Sequence, residues 1–391
     1  MTPAARLQAA IEILDEVIAG VAAEKALTGW ARRSRFAGSK DRAAVRDHVF
    51  ASLRAMRSFA VLGGGMTGRG LILGMLRAQG TNPDEVFTGE GHAPSPVTDA
   101  ERADPRPFAS VAEERDIPDW LWSSFESSLG PDAPAAAAAL QNRAPVHLRV
   151  NLGKSDREQA IRMLAQDGIV AIPHPASATA LEVQEGARKL RNAKVYTNGL
   201  VELQDAASQA VVDLLPLADG MRVLDYCAGG GGKSLAMGAR ADLHLTAHDI
   251  DPRRMKDLPE RAARAGLSVT CLSGSALNAA APFDLVLCDA PCSGSGSWRR
   301  APEGKWRLTR ERLDEIRGIQ AGILDQAAAM VSPGGVLAYA TCSMLDEENQ
   351  AQVQAFLART EGWELGVQRG WRVQDGTDGF YVALLTRSKP D

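Results

Sequence analysis

Five cysteines, Cys227, Cys271, Cys288, Cys292 and Cys342, lie in a chain of 391 residues. Two of them close motifs at the ends of apolar runs: Asp289-Ala290-Pro291-Cys292-Ser293-Gly294 after Leu285 to Leu287, and Thr341-Cys342-Ser343 after Val336 to Ala340. If those runs are strands of an open α/β sheet, both thiols reach its carboxyl edge, where such sheets bind ligands. Two thiols over one pocket suit covalent catalysis on an electron-poor ring. Carbon 5 of cytosine is too poor a nucleophile to attack a methyl sulfonium, whereas a thiolate added to carbon 6 makes it reactive. The carbon 5 proton must then leave and the enzyme thiol be expelled, a step that a second polar group assists. Asp289 is placed to act as an acid toward ring nitrogen 3, provided burial keeps it protonated. Cys271 and Cys288, inside strand candidates, read as small buried hydrophobes. No CxxC pair and no histidine cluster marks a metal, and an odd cysteine count suits free thiols in a reducing compartment.

A second constellation suits a nucleoside-bearing cofactor. Asp225-Tyr226-Cys227-Ala228-Gly229-Gly230-Gly231-Gly232-Lys233-Ser234 follows a short apolar run and leads into a helix. Glycines at a strand-to-helix turn let a ligand approach the backbone, and the helix N-terminus favours negative charge. A nucleotide-hydrolase loop needs Gly-x-x-x-x-Gly-Lys-Ser, but with Gly232 as its second glycine Cys227 stands where the first must be. The dinucleotide fingerprint also fails, because Gly229 and Gly231 lead to Ser234, and Gly230 and Gly232 lead to Leu235. The related turn that holds the methionine part of S-adenosylmethionine remains. It pairs with an acidic residue after the next strand that accepts hydrogen bonds from the ribose hydroxyls. In His248-Asp249-Ile250-Asp251 that residue is Asp249, while Asp251 caps the helix starting near Pro252.

The elements that must position these residues are legible as changes of rhythm. From Ala4 to Gln79 apolar residues recur at helical spacing, as in Leu7, Ile11, Leu14 and Ile18, so residues 1–79 form an all-helical domain. Residues 80–116 are rich in Pro, Gly, Asp and Glu and read as a linker. Residues 117–206 mix a helical pattern at Pro118 to Trp122, an alanine run at Ala135 to Ala139, a strand at His147 to Leu152 and a helix at Asp156 to Gln166, which makes a small α/β module. Over 207–391 the strand candidates Arg222 to Leu224, His244 to His248, Val269 to Leu272, Leu285 to Leu287 and Val336 to Ala340 alternate with helices. That alternation predicts an α/β, doubly wound, Rossmann-like domain.

Hydrophobic residues at 45% and charged residues at 24% suit a packed globular chain. No run is long enough to cross a bilayer and the first twenty or so residues lack a signal peptide's basic end, so a cytoplasmic protein is expected. The net charge of −4 argues against indiscriminate coating of nucleic acid. Residues 1–70 nevertheless carry eleven Lys/Arg against six Asp/Glu, a local excess that includes Arg32 and Arg33 and can meet phosphates.

Taken together, the glycine-rich turn, Asp-Ala-Pro-Cys-Ser-Gly-Ser-Gly with Arg299, Arg300, Lys305 and Trp306 behind it, and Ala-Thr-Cys-Ser followed by Glu347-Glu348-Asn349 resemble the RsmB/NOP (Sun) family of RNA cytosine-5 methyltransferases. The resemblance covers most of the chain, from residues 1–79, similar to the NusB-like helical domain of the bacterial 16S rRNA members, to Asp378-Gly379-Phe380-Tyr381, similar to the final strand pair. It implies a class I S-adenosylmethionine-dependent methyltransferase domain with Cys342 as nucleophile and Cys292 as the thiol that assists release. Cofactor contacts fall on Cys227, Ala228, Gly229, Gly230, Gly231, Gly232, Lys233, Asp249 and Asp289. RNA contacts are expected at Arg299, Arg300, Lys305, Arg149, Arg32 and Arg33, with the basic run through Arg307, Arg310 and Arg312. RNA, in particular 16S rRNA, is the implied partner of a monomer without metal.

Two departures stand out. The family turn usually reads Cys-Ala-Ala-Pro-Gly-Gly-Lys, so Gly229 and Gly230 replace Ala and Pro at an entropic cost. The third strand commonly ends in Gly-Asp, whereas this chain has Gly274-Ser275, and a serine can offer adenine only a neutral hydrogen bond. Both features leave open an RNA-binding assembly factor with weakened catalysis, and a DNA or tRNA cytosine methyltransferase is the other alternative.

Overall fold

The computed structural model describes residues 1–388; residues 389–391, the end of the expected 207–391 domain, lie outside the described residues. Contacts divide the chain into two compact units, one of Met1–Arg143 with Trp298–Leu308, the other of Ala144–Ser297 with Thr309–Asp391.

The first unit is helical. Its helices include α1 (Pro3–Ile18), α2 (Ala23–Arg33), α3 (Ser39–Arg54), α4 (Met56–Leu62) and α5 (Gly68–Ala78). Thr2 caps α1 by accepting from the Ala5 amide, with Pro3 in the first turn, where its missing N–H costs nothing. Leu7, Ile11, Leu14, Trp30, Val49, Leu53, Leu71 and Ile72 form one core. Residues 80–116, read as a linker, are packed: Phe87 and Val97 enter that core, and Arg69 binds Glu101 at 2.6 Å and the Pro96 carbonyl at 3.0 Å. The expected boundary at 116/117 falls inside this unit, which also holds helices Asp119–Leu129 and Ala133–Leu140. Trp298–Leu308 joins it through the end of α3, whose last carbonyls have no helical partner. Lys305 Nζ donates to the Arg54 carbonyl at 3.0 Å, Trp306 Nε1 to the Leu53 carbonyl at 2.7 Å, and Arg54 Nε to the Arg299 carbonyl at 2.6 Å.

The second unit contains two sheets. The smaller comprises β1 (Val146–Val150), β2 (Val170–Pro173), β3 (Ala180–Glu185) and β4 (Val201–Leu203) in the antiparallel order β2-β3-β1-β4. The larger comprises β5 (Arg222–Asp225), β6 (His244–Ala247), β7 (Thr270–Cys271), β8 (Phe283–Asp289), β9 (Val331–Thr341), β10 (Trp363–Trp371) and β11 (Phe380–Arg387) in the order β10-β11-β9-β8-β5-β6-β7. β5 to β9 pair parallel, as the alternating pattern predicts, whereas β11 inserts antiparallel beside β9 and β10 pairs antiparallel with β11. Val223, Leu285, Leu287 and Ala338 pack one face of this sheet, and Leu224, Val286, Leu337 and Tyr339 the other. Near-continuous apolar strands buried on both sides are what a parallel sheet demands.

Candidate active site

The strand order reverses at β5, with β8 on one side and β6 on the other, so a crevice opens above the carboxyl ends of these strands. β8 ends at Asp289 and β9 at Thr341, which carries Cys292 and Cys342 to this edge. Their sulfurs stand 3.3 Å apart, and both thiols line a cavity of about 530 Å³ with Tyr226, Cys227, Asp249 and Asp289. The Cys292 thiol is pushed well above its ordinary range by its bond to Cys342, by burial, and by the negative charge it would have to share with Cys342 and Glu348. It therefore stays protonated at neutral pH and can donate to its neighbour.

The glycine-rich turn meets the same cavity through Cys227, and its glycines stand behind that lining. Gly229 and Gly231 have φ of +52° and +75°, left-handed values that a side chain would strain. Gly231 precedes the helix Gly232–Gly238, and a Cβ on it would fall 2.1 Å from Leu258. Gly229 N–H donates to Asp249 Oδ2 at 2.9 Å, tying the turn to the end of β6. Asp249 is buried, accepts also from the Asp251 amide at 3.0 Å, and meets Arg254 at 3.1 Å. Asp251 accepts from the Arg253 amide at 3.1 Å, the cap expected of it. Burial raises the Cys227 thiol far above its usual range, which disfavours it as a nucleophile.

Several expectations need correction. Asp289 was expected to be an acid kept neutral by burial, but its carboxylate forms a 2.6 Å ion pair with Lys233 and is about one third exposed (34%). Ser275 lies exposed in the first turn of helix Gly274–Ala280; Gly274, Leu277 and Asn278 line the neighbouring cavity of about 540 Å³ instead. Cys271 is exposed because β7 is a two-residue edge strand, whereas Cys288 is buried in β8. Arg149 is buried and donates to the Gln204 side chain and, at 2.6 Å, to the Gly232 carbonyl, so it braces the smaller sheet against the glycine turn rather than meeting phosphate. Arg299 and Lys305 are buried too, and burial brings Lys305 down to about 8. Arg307, Arg310 and Arg312 pair with Glu303, Glu347 and Glu315. Arg32, Arg33 and Arg300 are exposed, with Arg33 2.9 Å from Glu16.

Other residues escaped the sequence reading. Ile250, 92% exposed, lines both cavities with Tyr226, His248 and Gln326 and offers an apolar platform to a flat ring. Helix Arg310–Ala328 adds Ile319, Gly322, Ile323 and Gln326, an i, i+3, i+4, i+7 face that periodicity could have found beneath the basic run. No sequence spacing linked His147, His174 and Glu182, yet their side-chain ligand atoms come within 4.8 Å of one another on the smaller sheet. Antiparallel pairing explains it: His147 on β1 faces Glu182 on β3, and His174 follows the end of β2. His147 Nδ1 also lies 3.0 Å from Asp205.

A cofactor bearing a ribose, an aromatic base and a charged amino-acid end fits these groups: Asp249 to accept from hydroxyls, Ile250 against the base, and the turn at Cys227 with Asp289 for the amino-acid end. This strand order with these groups at its switch point defines a Rossmann-like, S-adenosylmethionine-dependent methyltransferase. Comparison with known proteins narrows the class. Residues 212–386 match the 16S rRNA methyltransferase RsmB/F family and residues 117–188 the ferredoxin-like domain of RsmF/B-like methyltransferases. The ribosomal RNA small subunit methyltransferase B of Xanthomonas campestris pv. campestris is 34% identical over 307 residues, 73% of this chain and 70% of that protein. In fold, the crystal structure of PH0851 aligns over 98% of this chain and 99% of its own with a TM-score of 0.77 at 23% identity. A methyltransferase homologue from Pyrococcus horikoshii aligns over 71% of this chain and 97% of its own with a TM-score of 0.61 at 22% identity. The chain belongs to the RsmB/F family and is an S-adenosylmethionine-dependent RNA methyltransferase. Among the described residues no helix is long and apolar enough to cross a membrane.

Proposed function

We propose that the chain methylates carbon 5 of a cytosine in small-subunit ribosomal RNA, acting as a cytoplasmic monomer through a covalent adduct on Cys342. The observation that carries this reading is the 3.3 Å approach of the Cys292 and Cys342 sulfurs beside Asp289 in one cavity. Cys342 as thiolate adds to carbon 6, forming a C–S bond and moving the ring electron pair toward carbon 5. S-adenosylmethionine, when bound, supplies the electrophilic methyl group. The carbon 5 proton then passes to a base, the C–S bond breaks, and the electron pair returns to sulfur. Cys292, held as a thiol against Cys342, assists that departure by hydrogen bonding to the sulfur as it regains negative charge. Asp249, Ile250 and the turn from Cys227 to Lys233 hold the cofactor, while Lys233 orients Asp289 at the cavity edge.

The helical first unit, read as a NusB-like RNA-binding domain, grips structured RNA through Arg32, Arg33 and Arg300. The relatives' names support the ribosomal substrate. Incubating the protein with small-subunit rRNA and labelled cofactor tests the roles of both thiols. Cys342→Ala is expected to abolish transfer, and Cys292→Ala to leave protein attached to RNA through denaturing electrophoresis. Full turnover by the first variant, or no trapped adduct with the second, overturns the assignment.

A further inference from the structure

Each cysteine of the pair is followed by a serine, and both serines converge on one carboxylate. Glu348 is fully buried. Its Oε1 accepts from the Ser293 amide at 2.7 Å and from Gln320 Nε2 at 3.1 Å, and its Oε2 from Ser293 Oγ and Ser343 Oγ at 2.5 Å each. All four donors are uncharged. A carboxylate is costly to bury unless its lone pairs are saturated, so this is a built site. The network continues outward: Ser295 Oγ lies 3.0 Å from Ser343 Oγ and accepts from the Met344 amide at 2.8 Å, while Ser343 Oγ accepts from the Leu345 amide at 3.1 Å. The residue itself is anchored, because its carbonyl accepts from Tyr339 Oη at 2.7 Å and its amide donates to the Leu345 carbonyl at 3.0 Å.

The covalent route of the reaction requires two sulfurs from different strands at a fixed separation, and backbone pairing alone does not supply it. β8 and β9 are parallel neighbours, but their register ends at Asp289–Ala340, short of both cysteines. Beyond that point the thiol-bearing turns Pro291–Gly296 and Thr341–Met344 are joined by the Gly296 amide to the Cys342 carbonyl at 3.0 Å, and by the serine–Glu348 network.

We propose that Glu348 is a positioning residue for methyl transfer, clamping the two thiol-bearing turns together through Ser293 and Ser343 so that Cys292 reaches Cys342. Glu348 is buried behind the two thiols and does not line their cavity. Its charge is also among the causes that keep Cys292 a thiol, behind the bond to Cys342 and burial. The proposal rests on the two-thiol reading of the reaction, and its test is chosen to separate the two.

The readout is the rate at which diamide closes a Cys292–Cys342 disulfide in the full chain. Diamide accepts two electrons and two protons from the thiol pair, giving one S–S bond and the corresponding hydrazine. Peptide mass spectrometry distinguishes this bond from any formed by Cys227, Cys271 or Cys288. Wild type should close the bond rapidly, and Glu348→Gln, which keeps the shape but can accept on only one oxygen, should slow it by roughly tenfold or more, since misplacing a group by about 1 Å can cost about a hundredfold in rate. In methylation assays the same variant should lose kcat in similar proportion with its KM for RNA within about twofold of wild type. Where Glu348→Gln does not melt cooperatively, Ser293→Ala/Ser343→Ala removes the two hydroxyl tethers and keeps the carboxylate with its bond from the Ser293 amide. Crosslinking within about twofold of wild type in a folded variant, whatever its melting temperature, overturns the clamp. Slow crosslinking combined with full turnover by Cys342→Ala would instead retain the clamp and overturn the covalent reading.

Discussion

At the residue scale, a carboxyl buried next to the cavity-lining Tyr226 is the most informative. Asp225, at the end of β5, is fully buried; its Oδ2 accepts from Ser234 Oγ at 2.6 Å, and Oδ1 has no hydrogen-bond partner among the described residues. Burial pushes it up to about 7, the charge of Asp289 adds to the rise, and the Ser234 bond and Lys233 oppose it. A carboxyl whose folded value lies above its unfolded one contributes stability that is complete below the unfolded value, near 3.8, and is lost as pH rises through the folded value. Asp225→Asn removes the ionisation and keeps the shape, so its stability should exceed that of wild type by about 1–2 kcal/mol at about pH 8 and the gap should close by about pH 4. Paired thermal melts across that range check it, and a gap independent of pH would contradict the burial explanation. The identities of the thiols, turn and acidic residue were legible because each belongs to a local motif. The state of Asp289 was not, because Lys233, its partner at 2.6 Å, approaches from the helix that follows β5.

At the element scale, two glycines in helices behave oppositely. In α5, a Cβ on Gly74 would stand 1.9 Å from the Phe59 carbonyl oxygen of α4, so the two helices approach through backbone and cannot yield cheaply. Gly74→Ala should therefore destabilise the first unit by about 1–3 kcal/mol, read as faster hydrogen exchange in α4 and α5. Gly318, exposed in helix Arg310–Ala328, has nothing within 4 Å of its ideal Cβ, and Ala there should stabilise by about 0.5–1 kcal/mol through helix propensity alone. Equal effects of the two substitutions would show that packing does not set the cost. Helical and parallel-strand segments were readable from periodicity, and Arg157–Gln166 begins one residue from its expected start because Asp156 is its cap. The antiparallel insertion of β11 was not derivable from alternation, since pairing partners depend on chain routing and not on composition.

At the scale of the whole molecule, charge must be judged by where each cation ends up. Arg32 and Arg33 are exposed on the last turn of α2, whereas Lys305 spends its charge on the Arg54 carbonyl and the Trp306 ring, 4.4 Å from its ammonium. Arg32→Glu with Arg33→Glu should weaken RNA binding and flatten its salt dependence by about one to two units of log–log slope, at about 0.7–0.9 unit per phosphate contact. Lys305→Met should leave that slope unchanged while altering stability, and filter binding across a salt series separates the two. An unchanged slope in the Arg32/Arg33 variant would remove those two residues from the RNA interface. By itself the sequence determined the chemistry available, namely two thiols, a glycine turn, an acidic strand end and an alternating α/β frame, because these reside in residue type and short-range spacing. The tertiary structure alone decided which charges remain in water, which apolar face closes the cavity and how the sulfurs come within 3.3 Å. Those outcomes rest on partners far apart in the chain, such as Lys305 and Arg54, 251 positions distant, whose meeting no local pattern encodes.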